Sequence, residues 1–335
     1  MKRWTQRPEG SNWGDFGEDD ELGRMNLVGP EQVRAGIATV TEGQTLCLSL
    51  PLDLPGGNLL NPRRYPPKLA PTELDGSQYV NFPLANLDPD LRDVISDDRV
   101  ILYTQYSTQW DSLAHVGALF DADGDGTPEK VYYNGHRAET DVQGPGREGE
   151  ASKANRLGIE TLASHGVQGR AVLVDLASVF GMERTLVGYD KLQKALETTG
   201  VRIERGDMVV LRTGFSERVM EMNGKPDVDQ LDKTGAVLDG HDPKLLQWIT
   251  DSGIAALCAD NYAVENPHPP AGATLKLPLH HHCLFKLGLP LAELWYLKDL
   301  ATSLDALGRR EFLLTAPPLR LPGALGSPVT PIATL

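Results

Sequence analysis

The chain is poor in cysteine, in positive charge and in long apolar runs, and each shortage removes a class of protein. Its three cysteines, Cys47, Cys258 and Cys283, are scattered over 335 residues. An odd, widely spaced set builds no disulfide framework, so they read as buried thiols in a reducing compartment. No apolar stretch approaches the ~20 residues that span a bilayer. Residues 1–23 are polar and acidic and hold no hydrophobic segment of a secretory signal. Thirty-two Lys and Arg against 46 Asp and Glu give a formal charge of −14, which argues against nucleic acid and membrane as partners. No internal repeat is present. The chain reads as a soluble, cytoplasmic protein, long enough to bury a core without covalent staples.

Residues 1–26 are rich in Gly, Asp and Glu but carry Trp4, Trp13 and Phe16. Aromatics of that size in a polar arm imply docking, on the same chain or on a second subunit. The arm and a short helix from Pro30 to Val40 make one segment, residues 1–45, ahead of a main domain, residues 46–335. A strand is expected at Thr45–Leu52. Residues Gly56 to Arg92, rich in Pro, Asn and Gly, read as a long irregular loop of the kind that forms lids. Four apolar runs read as strands: Arg170–Leu176, Asp207–Gly214, Ile254–Asp260 and Leu289–Leu297. Helical spacing falls between them at Gly158–Gly166, Tyr189–Thr198 and Pro243–Ser252. The alternation points to an α/β fold. The Pro-rich stretch Pro317–Leu335 reads as a tail over the surface.

Chemistry concentrates in two places. The first is Gln105-Tyr106-Ser107-Thr108-Gln109-Trp110-Asp111-Ser112-Leu113-Ala114-His115. If the strand that begins near Arg99 continues, Gln105, Gln109 and Asp111 share a face and Trp110 points to the other. This is either half of a metal site or a polar sheet edge. The second is Leu279-His280-His281-His282-Cys283, followed by Glu293 in an apolar run. On a helix only one or two of the three imidazoles face one site, and a Glu in a buried strand needs a partner or a metal. A third stretch, Asp121-Ala122-Asp123-Gly124-Asp125-Gly126, opens like a calcium loop but has Tyr132 where the bidentate Glu belongs, so a solvated turn before Val131-Tyr132-Tyr133 is the better reading. Imidazole, carboxylate and amide donors together suit Zn²⁺ or Mn²⁺, and hydrolysis of an amide or ester is the chemistry such a centre performs.

These residues resemble the metal-dependent cyclase family that includes bacterial kynurenine formamidase and isatin hydrolase. The family signature His-x-Gly-Thr-His-x-Asp-x-Pro-x-His falls on Gln105, Ser107, Thr108, Gln109, Asp111, Leu113 and His115, and matches at Thr108, Asp111 and His115. The apolar strand ending Asp175-Leu176, the Gly206-Asp207…Leu211-x-Thr213-Gly214 segment, the segment from Gly253 to Glu265 and the His281-His282…Glu293 spacing are similar too. The Trp13-Gly14…Asp19-Asp20-Glu21-Leu22-Gly23…Asn26 arm resembles a longer-chain branch, in which Gln-Trp-Asp is shared with trans-dienelactone hydrolase.

The resemblance implies a cyclase-like α/β fold with mixed β layers packed with helices. It implies a hydrolase that opens a C–N or C–O bond beside a carbonyl in a small substrate. Its metal would be held by Gln109, Asp111, His281 and Glu293. His115 and Glu293 are the catalytic candidates, His115 as general acid/base or else as a metal ligand itself, and Gln105, Trp110 and Tyr133 are the candidate substrate contacts. Amide in place of imidazole at 105 and 109 favours one ion over two. A non-catalytic binding protein on the same fold is the alternative, and a homo-oligomer is expected from the arm.

Overall fold

Residues Ala171 to Val174 form an uninterrupted apolar run because both faces of their strand are covered. The computed structural model describes residues 3–146 and 152–335. It has a nine-stranded sheet of β1 (Thr45–Cys47), β2 (Gln109–Asp111), β3 (Gln168–Asp175), β4 (Met208–Arg212), β5 (Ala256–Ala259), β6 (Leu291–Glu293), β7 (Glu311–Thr315), β8 (Gly326–Pro328) and β9 (Ile332–Thr334). Across the sheet the order is β1-β9-β7-β3-β4-β5-β6-β2-β8. β3 to β6 run parallel, which requires crossover connections between them. The flanking pairs are antiparallel.

Alternation divides the core. Val172, Val174, Val209, Leu211 and Leu257 pack on one face with Leu192, Leu245 and Ile249 of the helices Tyr189–Thr199 and Pro243–Ser252. Ala171, Leu173, Val210 and Cys258 pack on the other with Leu300 and Leu304 of Lys298–Leu307. The Pro243–Ser252 helix matches its sequence signals: Pro243 occupies the first turn, the Asp242 side chain accepts from the Lys244 N–H at 2.9 Å, and Gly253 ends it at φ 68°. The mixed α/β architecture is the one expected.

The arm docks on its own chain. Trp13 is fully buried, donates from its indole to the Phe285 carbonyl at 2.8 Å, and meets Phe120 and Phe285 edge-on. The buried Arg24 guanidinium donates to the Ile249 and Thr250 carbonyls at 3.0 and 2.6 Å. Gly23 lies against Gly288 so closely that a Cβ would strike the Gly288 carbonyl. Trp13→Ala is therefore expected to destabilise the fold by about 3–5 kcal/mol, measured as a shift of the urea midpoint.

Two expectations are corrected. The Gly56–Arg92 segment is not wholly irregular: Lys68–Pro71 pairs with Asp98–Ile101, Glu73–Leu74 with Ser77–Gln78, and Phe82–Pro83 with Val94–Ile95. The Pro317–Leu335 segment is no surface tail, since β8 borders β2 and β9 inserts between β1 and β7. Strands of two to four residues are too short to leave a periodic signal.

Candidate active site

The site is built on the antiparallel junction of β2 and β6, where Glu293 pairs with Gln109 and Ala292 with Trp110. Alternation turns Gln109, Asp111 and Glu293 to the face covered by the Tyr189–Thr199 and Pro243–Ser252 helices. Trp110 points the other way, donates to the Ala316 carbonyl at 2.8 Å and stands edge-on to Trp295. It is a core residue, which corrects its place among the substrate contacts.

The strand before Gln105 does not continue. It ends at Ile101, and the chain turns before β2 begins at Gln109. The turn still brings the two ends together: the Gln105 amide donates to Asp111 Oδ1, and Arg64 donates to the Gln105 carbonyl at 2.7 Å. With its amide oriented to make hydrogen bonds, Gln109 donates to the Gln105 and Ser107 carbonyls at 2.6 and 3.1 Å. Gln109 thus braces the turn that presents Gln105, with only its Oε1 left over.

His280 completes the site. The short helix Pro278–His280 leads into a wide π-turn, His281–Lys286. His280 Nδ1 lies 2.7 Å from Glu265, and its Nε2 lies 3.3 Å from Glu293 Oε1 and 3.8 Å from Asp111 Oδ2. Ligand atoms of Asp111, His280 and Glu293 all lie within 4.8 Å of one another, and all three side chains are buried. Asp111 Oδ2 is buried without a hydrogen-bond partner among the described residues. An orphaned carboxylate oxygen beside a second carboxylate and an imidazole nitrogen is the donor set a divalent cation takes. His115 stands next to it, Nε2 3.9 Å from Asp111 Oδ1, and burial holds its pKa below the usual histidine range.

His281, the expected ligand, is outside this group. Successive helical side chains diverge by about 100°, so only one of the three histidines faces Glu293, and it is His280. The His281 ring packs on Phe285 at 4.9 Å, and His282 Nε2 meets the Thr250 hydroxyl at 2.9 Å. Tyr133 is likewise not a substrate contact. It is fully buried under the arm with its hydroxyl 3.1 Å from Asp20.

Electrostatics follow from burial. Burial opposes a charge on His280, but the hydrogen bonds of Glu265 and Glu293 raise its pKa to about 10. Burial also opposes ionisation of Glu293 and is the largest single influence on it, but the hydrogen bond and charge of His280, the Ala263 backbone hydrogen bond and the charge of Arg64 together outweigh it, so its pKa is lowered. Glu265, absent from the sequence-based site, accepts from the Leu279 and His280 amides at 2.9 and 2.8 Å as well as from the His280 ring. A Glu after Ala263-Val264 in an apolar segment carries the same signal that marked Glu293. Ala263, Val264 and Leu294 adopt left-handed φ of 73°, 57° and 57° beside these carboxylates. Strain in non-glycine residues is costly and gathers at functional sites.

Burial pushes His136, His281 and His282 down to about 4 from 6.5. Below pH 6.5 the unfolded chain binds protons that the folded chain refuses. Stability is thus expected to fall as pH drops from about 6.5 to about 4, by at most roughly 3 kcal/mol per group. Urea midpoints of chelator-treated protein at pH 7.5 and 4.5 check this, and His282→Asn should shrink the difference.

A cavity of about 590 Å³ opens from the site. His115, His280 and Glu293 line one part of it, Phe215, Leu231 and Tyr262 give apolar and aromatic wall, and Arg63, Arg64, Arg184 and Lys276 add positive charge. The Asp121, Asp123 and Asp125 carboxylates also cluster, but they are not deeply buried, and backbone amides of the turn from Gly124 to Thr127 donate to them. The turn is solvent-facing, and its three carboxylates lie within 4.8 Å of one another.

The cyclase family model matches residues 48–266. The crystal structure of a novel cyclase is 30% identical, with a TM-score of 0.75 and 97% of both chains covered. Isatin hydrolase A from Ralstonia solanacearum is 17% identical at a TM-score of 0.55, covering 87% of this chain and 91% of that one. Isatin hydrolase A from Labrenzia aggregata is 14% identical at 0.56, covering 90% and 97%. No curated protein matches the chain. The chain belongs to the cyclase family.

Proposed function

We propose that the chain is a metal-dependent hydrolase that opens an amide or lactone bond of a small substrate. One observation carries the reading: buried Asp111, His280 and Glu293 converge, the last two lining the cavity, and Asp111 Oδ2 has no hydrogen-bond partner among the described residues. These three residues would hold Zn²⁺ or Mn²⁺. Such an ion lowers the pKa of a water and polarises a carbonyl. Glu265 fixes the His280 ring so that Nε2 faces the two carboxylates. Gln105 orients Asp111 through its amide. His115, lining the cavity beside Asp111, takes the proton of the attacking water and returns one to the leaving group. The names of two structural neighbours, isatin hydrolases, support ring opening beside a carbonyl.

Purified protein is expected to hold one equivalent of divalent ion, to hydrolyse one of a paired set of aryl amides and unsaturated lactones, and to lose that activity to a chelator and regain it with Zn²⁺ or Mn²⁺. The amides in place of imidazole at Gln105 and Gln109 favour a second reading, a binding protein without turnover. Sub-stoichiometric metal, with no activity on either bond type after metal is added, would establish that reading instead.

A further inference from the structure

The cavity is positively charged in a chain whose formal charge is −14. Four cationic side chains line it, against two carboxylates, Asp232 and Glu293. Glu293 belongs to the site, and the Asp232 carboxylate is 2.7 Å from His268 Nε2. Among the described residues, none of the four cations has a carboxylate within ion-pair distance. Arg64 and Arg184 are half-buried, so each gives up part of its hydration. Among the described residues the Arg184 guanidinium has for partner only the neutral Asn266 Oδ1 at 3.3 Å, and that of Arg64 only the Gln105 carbonyl. A guanidinium in such a place gains from a planar anion that satisfies its fork of donors. The two differ in position. The charge of Arg64 bears on Glu293 and His115, whereas the carboxylate that bears on Arg184 is Asp232. Burial holds the Arg184 pKa below its usual value, and the charge of Asp232 offsets this only in part.

We propose that Arg184 is a specificity-determining residue: it anchors a carboxylate on the substrate, with the bond to be cut lying at the Asp111–His280–Glu293 group beside Arg64. The second clause rests on the hydrolase reading, whereas the first does not. Phe215, Leu231 and Tyr262 give the body between the two groups an apolar or aromatic character. The substrate class is a small monocarboxylate with an unsaturated or aromatic body.

Calorimetric titration of the whole protein with benzoate, phenylacetate and cinnamate, each against its own amide, tests this. At least one acid should bind tenfold or more tightly than its amide. Arg184→Gln should weaken that acid about 10- to 100-fold, as loss of a charge-assisted bond of roughly 1.5–3 kcal/mol implies, and leave the amide unchanged. Arg184→Lys, which keeps charge but not the fork, should lose several-fold. Equal binding of every acid and amide overturns the proposal, as does an acid preference that survives in Arg184→Gln or is no weaker in Arg184→Lys. A preference that disappears with chelator and is indifferent to Arg184 also overturns it, because the acid would then be binding at the metal. Acid preference that depends on Arg184 in a protein without hydrolytic activity would refute the hydrolase reading and uphold the anchor.

Discussion

Asp111→Ala and Glu293→Ala are each expected to release the metal and abolish turnover together. Asp111 and Glu293 supply the two anionic donors of a group whose third member is the His280 imidazole. Removing either leaves one carboxylate and one imidazole, too little for a divalent ion that prefers four or more ligands. The loss should exceed the roughly 10- to 100-fold that follows from removing an outer partner of a metal ligand. Glu265→Gln supplies that lesser case in the same protein. It keeps the shape of the side chain but withdraws the carboxylate on which His280 Nδ1 rests 2.7 Å away. Elemental analysis alongside kcat/KM gives the expected ranking: wild type, then Glu265→Gln, then the two alanine variants with neither metal nor activity. Full metal content in Asp111→Ala would show that the ion is held elsewhere.

His115→Ala is expected to separate the two properties. Its ring lines the cavity and stands 3.9 Å from Asp111, but it is not one of the three converging donors. Loss of a general acid/base lowers the rate by about 10²- to 10⁴-fold, and metal content should stay at the wild-type level. Substrates with leaving groups of low pKa should suffer less, because they need no proton on departure. If the ion is lost with His115, the residue is a ligand and the proton carrier has to be sought elsewhere in the cavity.

How much of this could be read beforehand depends on the range of the forces involved. The parallel strands were legible because burial on both faces writes a continuous apolar run, as in Ala171 to Val174 and Met208 to Leu211. Helix Pro243–Ser252 was legible to the residue because Pro243 and Gly253 punctuate it locally. Glu293 stood out as a carboxylate in an apolar run and Asp111 as the carboxylate of a polar cluster, and the inward side of β2 was legible as well, since alternation alone puts Trp110 opposite Asp111. The choice among His280, His281 and His282 was not legible. Three adjacent imidazoles are equivalent to a local rule, and only the packing of Phe285 and Thr250 decides which ones are turned away. Gln105 reached Asp111 by a turn and not by the strand first expected. The cationic lining of the cavity was hidden because Arg64 and Arg184 are far apart in sequence.

The placement of β8 bears on when this protein becomes functional during synthesis. β2, which holds Asp111, is bordered by β6 on one side and by residues 326–328 on the other. At the opposite edge Thr45 pairs with Thr334. On the ribosome the ligand strand therefore presents an open hydrogen-bonding margin until residues 326–328 emerge, and contacts so distant in sequence form slowly. A nascent chain halted before residue 326 would hold every proposed ligand and still lack the strand that closes their edge.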